Sequence, residues 1–426
     1  MFERMRIRKL LGGLDSADAA TREAALRAVK AKVTKGLSDD EAGILLAEIA
    51  RPWPYPIGEK PVDAAVLGCF VRGMYPGAVG AALTAFPQLS NEGKSELIEL
   101  LGCHHDPKCT AGVISIVQKH AATGLLPKLP SSAMNASNPA RASVIFPGIL
   151  VALRSKHLRM TAMRHALAAL SKGAVSAQVF RDHVQDIAAI LTENLPLAKQ
   201  YQQPNVKRWD ANVQYHAVRH ESGIALDLAT YLADPKLLSA ASDWLELTDP
   251  YLLTYAQLAI LSLGGKPDTR ALYQAAASAE YRNVLYEGLG RLGRASVFPT
   301  DYHKVGYFAE SRLVEWLSSG FELGEAPDTI EVAGAVRHEE SGKAVLSILF
   351  RFTHERTHPG KILTGAVFGC DPSDIVLRDS GSAFSSFRAW EEADMIGHLR
   401  IMFDESQEFK GATQLDVDQL RREQLL

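Results

Sequence analysis

The chain has 426 residues, 47% of them hydrophobic and 22% charged, with a formal net charge of −3. That is ordinary globular usage, so disordered and collagenous readings are excluded, and at roughly 150 residues per domain the length predicts two or three units or one extended array. Near-neutral charge gives no general attraction to nucleic acid or anionic lipid, Cys69, Cys103, Cys109 and Cys370 are too scattered for a disulfide framework, and no apolar run approaches the ~20 residues that span a bilayer.

Charge is uneven along the chain. Residues 1–35 hold nine Lys/Arg against four Asp/Glu, whereas residues 385–426 hold five against nine. Solvated helix faces of unlike sign account for such a tally. The opening residues are charged, but the apolar stretch after them is too short for a secretory signal. The expectation is a cytoplasmic protein with no membrane partner.

Taken in order, residues 15–35 place Ala24, Ala25, Ala28, Val29 and Val33 at helical spacing, with Gly36 as a stop. Ser38-Asp39-Asp40-Glu41 reads as a capping box: the Ser hydroxyl accepts from the amide of Glu41, whose carboxylate reaches back. The helix it opens runs over 42–50 and ends at Pro52-Trp53-Pro54-Tyr55-Pro56, because three prolines in five residues cannot continue it. Further helices are expected over 62–75, 77–86, 91–101, 110–122, 139–153, 158–171, 176–197, 212–232, 235–247, 250–263, 269–279, 281–292 and 301–318. Asp106-Pro107, Asp234-Pro235 and Asp249-Pro250 punctuate them, with Asp capping the next helix and Pro pre-set for its first turn.

Many of these helices are short, with broad apolar or small-residue faces, and one such helix cannot bury its surface alone. The segments Ile98-Glu99-Leu100-Leu101-Gly102, residues 227–235 and residues 259–265 resemble HEAT-like, armadillo-type helical repeats. The resemblance covers residues 15–295 without one constant period. It implies an elongated superhelix that binds macromolecules, and it carries no catalytic residues across.

After Gly320 the pattern changes. Residues 329–337 and 343–353 are rich in Val, Ile, Leu and Phe and flank a Gly-containing hairpin loop at 339–342. Residues 361–369 predict a third strand, 374–377 a fourth, and 387–403 a covering helix. The fold expected is mainly α: a HEAT-like α-solenoid over 1–320, a small α+β domain with an antiparallel sheet over 321–410, and a charged tail over 411–426.

Several motifs carry chemistry. His354-Glu355-Arg356-Thr357-His358 matches HExxH, in which two His one helical turn apart share a zinc ion and the Glu polarises its water. Preceding residues that read as strand, and Pro359 directly after, oppose helical geometry here. Gly288-Leu289-Gly290-Arg291-Leu292-Gly293 matches GxGxxG, but the residues before it read as helix, so the glycines are expected to end or thin that helix. Cys103-His104-His105-Asp106-Pro107-Lys108-Cys109 gathers possible soft ligands at a non-standard spacing, and His216 and His220 stand four apart on a helix. Arg154, Lys156, His157, Arg159 and Arg164, with Lys207-Arg208-Trp209, form a candidate phosphate-binding patch. Trp53 and Tyr55 are candidate contact residues, or a strap packed on the helices.

The reading that unites these features is a protein-binding scaffold or accessory protein with no cofactor, whose partner is another protein. Trp53, Tyr55, Arg154, Lys156, Arg159, Arg164 and Trp209 are its candidate contacts. The alternatives are a metal-dependent hydrolase using His354, Glu355 and His358, and a nucleic-acid binder using the basic patch.

Overall fold

A computed structural model describes residues 2–70, 73–132, 134, 139–202, 213–340, 342–403, 409 and 411–426. Among them are eighteen α-helices and one five-stranded antiparallel sheet. The chain divides into two compact units, Met1–Ile190 with Tyr231–Leu237, and Leu191–Thr230 with Leu238–Leu426. The change from helix to sheet near 320, read from sequence as a domain boundary, falls inside the second of these.

In the first unit the helices pack in two alternating files. Phe2–Leu11, Asp39–Ile49, Val79–Ala85 and Pro107–His120 pack each on the next, while Ala19–Lys35, Val62–Leu67 and Asn91–Cys103 do the same beside them. Every second helix is therefore a neighbour, which lets short helices bury both flanks. Their ends follow local chemistry. The Ser38 capping box forms as expected, with Glu41 N–H donating to Ser38 Oγ and Ser38 N–H to the Glu41 carboxylate. Asp106 accepts from Lys108 N–H with Pro107 in the first turn, and Asp249 from Tyr251 N–H with Pro250 in the same place.

The second unit carries the helices from Leu238–Ser242 onward and the sheet. Its strands are β1 (Thr329–Glu340), β2 (Lys343–Thr353), β3 (Leu363–Cys370), β4 (Ser382–Ala389) and β5 (Thr413–Leu415), in the order β4-β3-β2-β1-β5. Both faces are covered. Leu346, Ile348, Phe350, Phe352, Leu363 and Val367 join one core that includes Leu313 and Leu317 of the helix Val305–Leu317. Val336, Leu349, Ala366 and Phe368 pack with Leu399 of the helix Met395–Phe403. Two buried faces explain why β2 and β3 read as continuous apolar runs without alternation. Gly334 sits at a bulge in β1, where an added Cβ would lie 2.7 Å from Met395 Sδ and 2.8 Å from Leu415 O.

Three expectations are corrected here. Residues 374–377 form a turn, not a strand: Asp374 accepts the amides of Arg378 and Asp379, and Leu377 takes a φ of +53°. The fourth strand instead occupies Ser382–Ala389, so the covering helix begins at Met395 and not at 387. The segment read as a charged tail supplies β5 and the helix Val417–Arg422, because Asp416 caps that helix and Leu415 and Leu420 bury against the core.

Candidate functional site

The HExxH segment lies at the end of β2, in the connection to β3. One turn is closed by His358 N–H donating to His354 O at 2.9 Å. Thr357 Oγ1 lies 2.6 Å from Nδ1 of His354 and 2.8 Å from Nδ1 of His358, so one hydroxyl engages both imidazoles. His354 is fully buried, and its Nε2 lies 2.9 Å from Glu325 Oε1, which also pairs with Arg356 Nε at 2.8 Å. The His358 ring stacks parallel on Phe387. The Glu355 carboxylate accepts from Gly360 N–H at 3.1 Å and closes the loop on itself. Among the described residues no three His, Cys, Asp or Glu side chains are grouped to hold a metal ion. The hydrogen bonds of these residues tie down the β2–β3 connection.

The other motifs are resolved just as locally. The helix Arg282–Arg291 ends in a Schellman cap, with Gly293 N–H to Gly290 O and Arg294 N–H to Leu289 O, and Gly293 has a φ of +66°. Gly288 permits close packing: an added Cβ would stand 2.5 Å from Leu258 Cδ1. Cys109 is buried with its thiol toward Met74 O, while Cys103 is exposed. The rings of His216 and His220 stack with centroids 6.2 Å apart.

The basic patch is divided. Arg154 forms an ion pair with Asp186, which also meets His183 at 2.8 Å. Arg159 is buried, Lys156 and Arg164 are exposed, and Trp209 with Lys207 and Arg208 lies outside the described residues. In the proline-rich segment Trp53 Nε1 donates to Ile49 O, with the Arg51 guanidinium 4.1 Å from the centre of its ring. Tyr55 is exposed beneath Arg22, which donates to Pro56 O.

Sequence reasoning missed an aromatic row beside β4. The ring centroids of Trp316 and Phe384 are 6.1 Å apart, those of Phe384 and Phe403 6.0 Å, and those of Phe368 and Phe403 4.9 Å. Trp316 is 38% exposed and Phe403 41%, enough for both to offer ring surface to a partner. They come from two helices that flank the sheet, Val305–Leu317 and Met395–Phe403. β4 itself is a terminal strand, and among the described residues no strand pairs with its outer edge. Near its end Phe387 has a φ of +48° and the register with β3 shifts, which leaves Ser382–Ser385 as the regular stretch. No signal in one sequence marks a strand as terminal; the recurring Phe between residues 368 and 403 was the only available hint.

Burial also disturbs carboxyls in this unit, Asp227 among them. Asp227 Oδ1 has no hydrogen-bond partner among the described residues, and burial pushes the group up to about 6 despite the charge of Arg291. Because the folded pKa exceeds the unfolded one, this group's stabilising contribution is fully present below about pH 4 and lost as pH rises through about 6. Asp227→Asn is therefore expected to stabilise the protein at pH 7.5 by up to about 3 kcal/mol, with little gain at pH 4. Urea unfolding at the two pH values checks this. Comparison of the chain with known family models, with curated proteins and with solved structures finds no match.

Proposed function

We propose that this chain is a protein-binding scaffold whose second unit receives an extended segment of a partner protein along β4. The observation that carries this reading is the open β4 edge lying beside the exposed rings of Trp316 and Phe403. An unpaired edge offers a row of amides and carbonyls, and a neighbouring aromatic surface supplies pockets for alternate side chains of an added strand. The helical portion is read as a degenerate HEAT-like array. That reading is supported by the two files of short helices in the first unit, each packing on the next but one.

The test is capture of the partner from the native host, followed by hydrogen exchange on the complex. Amides of Ser382–Ser385 are expected to slow on binding. Trp316→Ala is expected to weaken the complex by about 2 kcal/mol, as truncation of a central aromatic anchor does. Protection confined to the first unit, with Trp316→Ala binding as well as the parent, would count against the β4 site.

A further inference from the structure

Two cavities in the second unit share a wall made by the same two side chains. The larger, about 610 Å³, is lined by Tyr281, Asn283, Tyr286, Phe308, Arg312 and Arg378 among others. The smaller, about 440 Å³, is lined by Arg312, Arg378, His338, Ser380 and Ser382. Arg312 projects from the helix Val305–Leu317, and Arg378 from the β3–β4 connection. Volumes of this size suit small organic ligands.

Neither guanidinium is neutralised. Among the described residues no carboxylate lies within ion-pair distance of Arg312 or Arg378, although Glu280, Glu287 and Glu315 line the larger cavity and Glu340 and Asp379 the smaller. Arg312 spends one N–H on Leu377 O, and Arg378 is exposed with no side-chain hydrogen bond among the described residues. His338 adds no charge: its Nε2 is 2.9 Å from Ser347 Oγ, and burial pushes it below its ordinary value.

Two unpaired arginines ask for an oxyanion, for which guanidinium geometry is well suited. The carboxylates of Glu287 and Glu315 ask for hydrogen-bond donors, and the half-buried Tyr286 offers ring surface to a planar group. The geometry points to a site for a small phosphate ester with a planar, donor-bearing ring, of which a nucleoside monophosphate is the simplest. The phosphate lies between Arg312 and Arg378, and the ring occupies the larger cavity. The smaller cavity shares Ser382, Phe368 and Phe403 with the β4 edge and its aromatic row, whereas Trp316 lines neither cavity.

Calorimetric titration of the full chain with AMP, GMP, CMP, UMP and inorganic phosphate tests it. At least one nucleotide is expected to bind roughly tenfold or more tightly than inorganic phosphate, and Arg378→Met to weaken that nucleotide by roughly tenfold or more. Arg378→Met removes an exposed side chain, so an unchanged melting curve is expected and confirms that the fold survives. Trp316→Ala is expected to bind the nucleotide as the parent does. No binding of any nucleotide at about 1 mM, at which a −4.1 kcal/mol interaction would be half-saturated, overturns the proposal. So does binding indifferent to Arg378→Met, or equal affinity for nucleotide and inorganic phosphate.

Discussion

Asp249→Ala is expected to cost about 3–5 kcal/mol of stability, the usual penalty for removing one partner of a buried ion pair. Asp249 is fully buried and works in four directions at once. It accepts from Arg219 Nε at 2.6 Å and Nη2 at 3.3 Å, from the Tyr215 hydroxyl at 2.9 Å, and from Tyr251 N–H at the start of the helix Pro250–Ser262. Truncation strands the Arg219 charge beneath Tyr251 and Tyr281, whose hydroxyl accepts from the same guanidinium at 2.9 Å. Burial pushes the Tyr281 phenol up to about 12, so it stays neutral and cannot replace the lost carboxylate. The double variant Arg219→Met, Asp249→Ala should lose much less than the sum of the single losses, since no charge is then left without a partner. Urea unfolding of the four proteins in the cycle checks both numbers; additive losses would show that the two side chains do not act together.

Arg282→Met should be comparably costly, about 3–5 kcal/mol at pH 7. Arg282 is 1% exposed, so its hydrogen bonds, with the Tyr302 and Tyr307 rings that its guanidinium lies over, compensate for lost hydration. They run to the carbonyls of Ala276, Ala277 and Tyr307, to the Ser311 hydroxyl and to the Glu310 carboxylate at 2.9 Å. Burial lowers the Arg282 guanidinium and raises the Glu310 carboxyl, so for each partner the loss of hydration outweighs mutual attraction. With the arginine gone, Glu310 is buried without its cation and its pKa rises further. The sign follows from linkage. A carboxyl raised above its unfolded value is held at no cost below that value, and stability is lost as pH rises through the folded one. The deficit of Arg282→Met should thus shrink from pH 7 to pH 4.5, and Glu310→Gln in the same background should remove most of the pH dependence. Unfolding measured across that range checks it, and a deficit constant with pH would refute the role given to Glu310.

Legibility in the sequence tracked the range of the interaction responsible. The Ser38 capping box, the Asp-Pro helix starts and the Gly293 helix stop were readable because the residues involved lie within a few positions of one another. β1 to β3 were readable because both faces are buried and the runs are long. β4 was missed because Ser382-Ala383-Phe384-Ser385-Ser386-Phe387 has no β-branched residue and holds three serines, while Ile375-Val376-Leu377 nearby has the better strand composition but is turned by Asp374. β5 is three residues in a charged segment, and only its pairing with Ala335–Arg337 of β1 makes it a strand. The Arg219–Asp249 and Arg282–Glu310 pairs are 30 and 28 positions apart, so no window of local pattern could join them. The candidate site was hidden for the same reason: a strand's place at the rim of a sheet, and the meeting of rings from four elements, are properties of topology. The HExxH spacing was legible, but not the Thr357 hydroxyl that lies within hydrogen-bond distance of both imidazoles.

The placement of β5 has a consequence for how the protein is made. During synthesis the first four strands leave the ribosome as an uninterrupted meander, and the outer side of β1 stays bare until the segment after the helix Met395–Phe403 follows it out. For that interval the nascent chain presents a stretch of β1 edge, Ala335–Arg337, that β5 covers in the finished protein. Messages that stall or terminate ahead of Thr413 should yield aggregating fragments, and a chaperone reaching the emerging chain would find its most vulnerable surface along Ala335–Arg337.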